Sequence, residues 1–211
     1  LTSERRTFLG VALISMCVLM LQLSLTRLFS ATMHYHFAFL AISLALFGSA
    51  ASGVFVYALE GRLRPERTER WLALAANLVA PATLLALLVV LRNPVMPEEP
   101  AGRALARLTW IYAAAGLPFF LAGCVVTLAI ARMAHRMSRL YLFDLGGAAL
   151  GCLLLIPVLN AVGASSTVLL VGALAALAGA TFASASPGRR RATALSLLLA
   201  LAFAALAAEN A

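Results

Sequence analysis

Few residues in this 211-residue chain carry side chains that could do chemistry, and most of them stand alone. Asp144 is the single aspartate. It lies in an apolar stretch, where an ionised carboxylate is costly and needs a reason to be present. Two roles suit it. At the start of a helix over 142–162 it would act as a cap, accepting amide hydrogen bonds of the first turn and complementing the positive helix end. Arg136 and Arg139 are near enough in sequence to pair with it. The alternative is a proton- or cation-responsive carboxylate, or a polar contact for a substrate. Tyr141 stands one turn before it. Arg27, with Gln22 and Thr26, forms a second polar point in an apolar run. There the guanidinium would snorkel to the headgroups or anchor the His34-Tyr35-His36 turn. Asp144, Tyr141, Arg27 and Gln22 are thus the candidate intramembrane polar residues. Arg27 and Asp144 fall toward opposite ends of their spans, so a direct pair between them is not expected.

His34 and His36 would point the same way in an extended segment, as two ligands of one metal do. A third convergent ligand is missing, which leaves them a weak pair. Cys17, Cys124 and Cys152 fall inside apolar runs without metal-type spacing. No metal centre or cofactor is expected, nor, from the same pattern, a disulfide framework. None of the 14 glycines forms a Gly-x-Gly, so the phosphate-cradling turn of a Rossmann unit is absent. The scattered serines and the one aspartate make neither a triad nor an acid–base pair. This chain carries no catalytic motif.

The elements that hold these residues are dictated by composition. Hydrophobic residues make up 63% of the chain and charged residues 11%, against about 25% charged in a soluble domain. So little charge cannot cover a water-facing exterior, and the partner this surface implies is a lipid bilayer. A hydrocarbon core needs about 20 apolar helical residues to cross it. Runs over 8–28, 37–59, 71–91, 109–131, 142–162, 165–183 and 192–208 meet or approach that length. The reading is an all-α, polytopic bundle of about seven transmembrane helices in a single domain over 1–211. Pro94, Pro97 and Pro100 mark a loop, with a short surface helix after Pro100. Pro118 should kink the fourth span. The chain begins at Leu1 and stops just after an apolar run, as a piece of a longer protein would.

The net charge of +8 does not point to nucleic acid, because the arginines sit in short clusters between apolar runs with no aromatic interleaving. They read as anchors to anionic headgroups. Twelve of the sixteen arginines fall in segments 5–6, 62–70, 132–139 and 189–191, which alternate with the spans so as to share one side. Positively charged loops stay in the cytoplasm, so the N-terminus is cytoplasmic and the C-terminus, after seven spans, lies outside. The absence of lysine and the abundance of alanine suit a GC-rich bacterial genome, hence a multi-pass protein of the bacterial inner membrane.

Membrane helices associate by close backbone approach, which small residues permit. Gly48, Ser49, Ser52 and Gly53 form such a stripe on the second span, and Gly147 and Gly151 on the fifth. Both spans are expected at the centre of the bundle, unless a stripe serves as a homodimer face.

Four stretches together resemble the membrane region of polytopic spermidine synthase-like proteins: Gln22 to Ser30 (QLSLTRLFS), His34 to Gly53 (HYHFAFLAISLALFGSAASG), Leu117 to Gly123 (LPFFLAG) and Leu140 to Gly151 (LYLFDLGGAALG). Tyr141, Asp144, Gly147 and Gly151 are the most distinctive part. The resemblance implies a membrane region joined to a soluble, Rossmann-like aminopropyltransferase domain, downstream or separate, that holds the catalytic residues. This chain would then be a non-catalytic domain that anchors or serves the soluble one. The alternatives are a small-solute or cation transporter or channel built on kinked helices, and a structural subunit of a larger membrane complex.

Overall fold

The computed structural model describes residues 3–32, 38–59, 68–93, 100–185 and 190–210. Six α-helices account for almost all of them: α1 (Ser3–Thr32), α2 (Ala38–Leu59), α3 (Thr68–Arg92), α4 (Ala101–Arg132), α5 (Met137–Ala185) and α6 (Arg190–Glu209). A 3₁₀ turn, Ala134–Arg136, joins α4 to α5. No described residue is in a strand. All six helices are long and apolar enough to cross a membrane, which makes this a multi-pass α-helical membrane protein.

Six helices replace the seven expected, and the difference lies at Gly163. Its φ of 77° and ψ of 173° interrupt an otherwise continuous α5 of 49 residues. A straight helix of that length would be about 74 Å long, far more than a bilayer core of about 30 Å. Its two arms, 137–162 and 164–185, correspond to the fifth and sixth expected spans. Contacts with α1 show that they run in opposite directions. Along the first arm, Gly147 meets Ala12 and Gly151 meets Met16, a parallel register. Along the second, the Cys17 thiol meets the Val171 carbonyl and Gly10 meets Phe182, an antiparallel one. The six helices therefore make seven passes through the bundle.

The last pass is α6. Asn77 of α3 donates to Ser196 near its start, and Asn210 at its end donates to Ser166 at the start of the second arm. That places α6 upright and antiparallel to the second arm.

α1 lies at the centre, wedged between the two arms, with Val11, Ile14, Leu25 and Phe29 fully buried. The second arm is rich in small residues. Gly172 lies under Phe203 and Gly179 under Asn77, with Ala175 and Ala176 buried between them and Ala183 buried one turn beyond. The expectation that the second and fifth spans are both central is corrected: the first arm of α5 buries only Leu140, Gly147, Gly151 and Leu155, and α2 is peripheral as well. It packs through one face on α4, and the opposite face leaves Phe39, Phe47 and Tyr57 more than 70% exposed to the surroundings. Most helices also extend beyond their apolar runs: α4 starts at Ala101, so no separate surface helix follows Pro100.

One end of the bundle gathers the charged termini. Arg136 pairs with Glu4 at 2.7 Å, Ser3 donates to Glu69 at 2.9 Å, and Arg6 donates to the carbonyl of Ser184. These contacts bring the starts of α1, α3 and α5 and the ends of α4 and α5 together. Arg5, Arg6, Arg70, Arg132, Arg136, Arg139, Arg190 and Arg191 belong to this end. Arg27, Arg92, Arg103 and Arg107 belong to the other.

Candidate functional site

A groove lined by one carboxylate and several hydroxyls lies where α1, α2, α4 and the first arm of α5 meet. Its volume is about 340 Å³. Asp144 from α5, Ser15 from α1, Ser49 and Ser52 from α2, and Thr127 from α4 line it, together with Val18, Leu19, Leu145 and Ala148. Ser15 stands nine residues along α1 from Arg6, about 13 Å at the helical rise. On α5, Asp144 stands five residues from Arg139, about 7.5 Å at the helical rise, so the groove lies one to two turns from the charged end, and Leu145 of its lining is half-exposed.

Three local features hold Asp144 there. First, α5 begins at Met137, so Asp144 lies seven residues inside the helix rather than at its start. The N-cap role expected from the sequence is therefore overturned, because the amides of the following turn already have carbonyl partners within the helix. Second, α1 and the first arm approach at backbone distance. A Cβ on Gly151 would stand 2.8 Å from the Met16 carbonyl oxygen, and one on Gly147 would overlap the Ala12 carbonyl. Asp144, Gly147 and Gly151 lie on one helix face, so the two glycines draw the carboxylate onto α1. Third, Phe8 stacks on Phe143 with centroids 5.3 Å apart, which fixes the register one turn above.

The consequence is a hydrogen bond from the Ser15 hydroxyl to Asp144 Oδ1. The Val11 carbonyl is also within reach of the Ser15 hydroxyl at 3.0 Å. A hydroxyl has one proton, and the ionised carboxylate is the stronger acceptor. No cation among the described residues pairs with Asp144. Arg136, one of its two expected partners, is engaged by Glu4 instead.

The second small-residue contact forms the opposite wall. Gly48 of α2 lies against Phe119 and the Phe120 amide of α4, and Gly123 of α4 receives Ser52 and the Ser49 backbone. Ser52 is fully buried and donates to the Ser49 carbonyl at 2.6 Å. Gly53 does not take part: a Cβ there would meet nothing within 4 Å. The stripe read from the sequence thus packs through Gly48, Ser49 and Ser52, onto a neighbour within the same chain.

The polar residues expected to act with Asp144 are not assembled. Tyr141 is 61% exposed and lies outside the groove lining. Arg27 is exposed, twelve residues beyond Ser15 on α1, which separates it from Asp144 by about 18 Å. Gln22 is half-buried on the same helix, where its backbone carbonyl accepts from the Thr26 hydroxyl at 2.8 Å. His34 and His36 lie outside the described residues. Among the described residues no three His, Cys, Asp or Glu side chains converge as metal ligands. Sequence reasoning missed Ser15 and Thr127. Their signal was a hydroxyl in the interior of an otherwise apolar span, which also occurs wherever serine simply bonds its own helix.

One carboxylate and four hydroxyls can bind and orient a polar group, but they do not supply a nucleophile with its base. No protein-family model matches this chain, and no curated protein or solved structure is found to be similar to it.

Proposed function

We propose that this chain is the membrane domain of a bacterial inner-membrane protein, with its N-terminus cytoplasmic, and that it anchors or serves a soluble, Rossmann-like transferase domain at its basic end. The observation that carries the reading is the gathering of eight described arginines at one end of the bundle. Such an end prefers the cytoplasmic side and offers a charged platform next to the headgroups. The resemblance of residues 22–30, 34–53, 117–123 and 140–151 to spermidine synthase-like membrane regions supplies the transferase part. Reading the coding sequence past Ala211, and its neighbouring genes, tests the proposal. A Rossmann-type glycine-rich turn in the same chain or in an adjacent gene supports it. A stop codon close after Ala211 with no soluble transferase gene beside it ends it.

A transporter for a small solute or cation is the second reading, and the groove around Asp144 is what favours it. Counterflow in proteoliposomes, comparing the parent with Asp144→Asn, decides. Flux at the protein-free background in both removes transport.

A further inference from the structure

The groove presents a mismatch of environment and charge. Val18, Leu19, Leu145 and Ala148 give it apolar walls, yet it holds a carboxylate whose one hydrogen-bond partner among the described residues is a neutral hydroxyl. An ionised carboxylate at this depth is costly unless something positive sits against it. No cation among the described residues is paired with it, and Arg136 on the same helix is engaged by Glu4.

We infer that the groove binds a monovalent organic ammonium with an apolar substituent, entering sideways from the lipid phase. The ammonium sits against the free oxygen of Asp144, with Ser15 on the other oxygen and the Ser49 and Thr127 hydroxyls near enough to take its remaining N–H groups. A charge-assisted hydrogen bond of this kind is about twice as strong as a neutral one. The apolar substituent lies along Leu19 and Leu145. One carboxylate neutralises one charge, so a di- or polyamine would carry unpaired charge against hydrocarbon walls and is rejected. The selectivity is therefore for a single amine on an apolar body, which is how small-ligand sites are generally built: apolar walls and a few placed polar groups. This inference is independent of the anchoring role. Two sources share its chemistry, a free amphipathic amine and the ammonium of an aminophospholipid headgroup.

The test uses the purified chain in phosphatidylcholine nanodiscs and a ring-fluorinated phenethylammonium as the probe, followed by fluorine NMR. The ammonium gives a saturable shift, the corresponding phenethyl alcohol does not, and spermidine fails to displace the probe. Asp144→Asn weakens binding at least tenfold, and Asp144→Glu restores it to within a few fold. Where Asp144→Asn does not fold, Ala148→Phe, which fills the groove and keeps the carboxylate, abolishes the shift. Replacing part of the phosphatidylcholine by phosphatidylethanolamine weakens the probe if the lipid is the occupant, and leaves it unchanged if a free amine is. Equal saturation by the alcohol, unchanged affinity in Asp144→Asn, or displacement by spermidine overturns the inference. So does a nanodisc dimer that Ala148→Phe dissociates, because a second copy would then occupy the groove.

Discussion

Replacing Gly147 by alanine adds one methyl group at the tightest contact between α1 and α5, and its neighbour Gly146 provides the control. A Cβ at Gly147 falls on the backbone of Ala12, 2.6 Å from the carbonyl carbon and 2.7 Å from Cα. Backbone cannot rotate away as a side chain can, so the helices must separate. Overpacking of this kind costs about 1–3 kcal/mol. Separation also lengthens the Ser15–Asp144 bond, for which interhelical hydrogen bonds in membranes give about 0.6 kcal/mol on average; a carboxylate acceptor raises that toward about 1.5 kcal/mol. A Cβ at Gly146 meets nothing within 4 Å. The gain in helix propensity from glycine to alanine, about 1 kcal/mol, is common to both sites and cancels in their difference. Gly147→Ala should therefore be less stable than Gly146→Ala by about 2–4 kcal/mol, or about 5–15 °C in Tm by the usual size scaling. Thermal unfolding of both variants in one detergent, followed by size-exclusion with tryptophan detection, measures it. Indistinguishable midpoints would show that α1 and the first arm do not meet through Gly147, and the placement of Asp144 in the groove would fall with that contact.

Three further substitutions probe other joints of the fold. Gly163→Ala forces a side chain into a backbone region that is essentially reserved for glycine, at about 1–3 kcal/mol; its Tm should fall although a Cβ there meets no neighbouring atom, and an unchanged Tm would deny the break in α5. Arg136→Ala removes a pair with Glu4 whose side chains are 39% and 41% exposed. Such pairs contribute about 1 kcal/mol or less, so a double-mutant cycle with Glu4→Ala should return a coupling in that range. Ser196→Ala deletes the acceptor that joins Asn77 of α3 to α6; about 0.6 kcal/mol is expected, visible as faster proteolysis within α6 rather than as global unfolding.

The helical class was legible because it follows from a bulk requirement, enough apolar residues in a row to satisfy hydrocarbon, whereas the count of seven helices was not, since the fifth and sixth runs belong to one helix broken at Gly163. Helix ends were less legible. Hydropathy places the start of the fifth span at Leu142, where arginine gives way to apolar residues, but the helix begins at Met137. Nothing in Met137, Arg139 or Leu140 resists helix, and all three are good helix formers. A hydropathy window finds the hydrocarbon-embedded part of a helix and not its end. That five-residue offset changed the reading of Asp144 from a cap to an interior side chain. The link between 162 and 165 shows the same limit. The apolar pattern separates two spans there, while the backbone turns at a single glycine without leaving helix on either side for more than one residue.

Which helix lies at the centre was the harder question, and small residues answer it only in part. Gly48 and Ser52 told correctly that one face of α2 approaches another backbone, but one such face needs only one neighbour, and α4 satisfies it. A central helix must offer small or interlocking residues on several faces. The second arm of α5 does so, with Gly172 toward α3 and α6, Gly179 toward Asn77, and Phe182 over Gly10 of α1. α1 does so through its length, with buried positions on most of its circumference. The groove exists because these two demands conflict. α1 is held by both arms of α5, while α2 is held by α4, and the residual gap between the two assemblies falls where Asp144 and four hydroxyls face each other. A side chain's role here is set by the mismatch between neighbouring helix pairs, a property of the whole packing that no window of sequence contains.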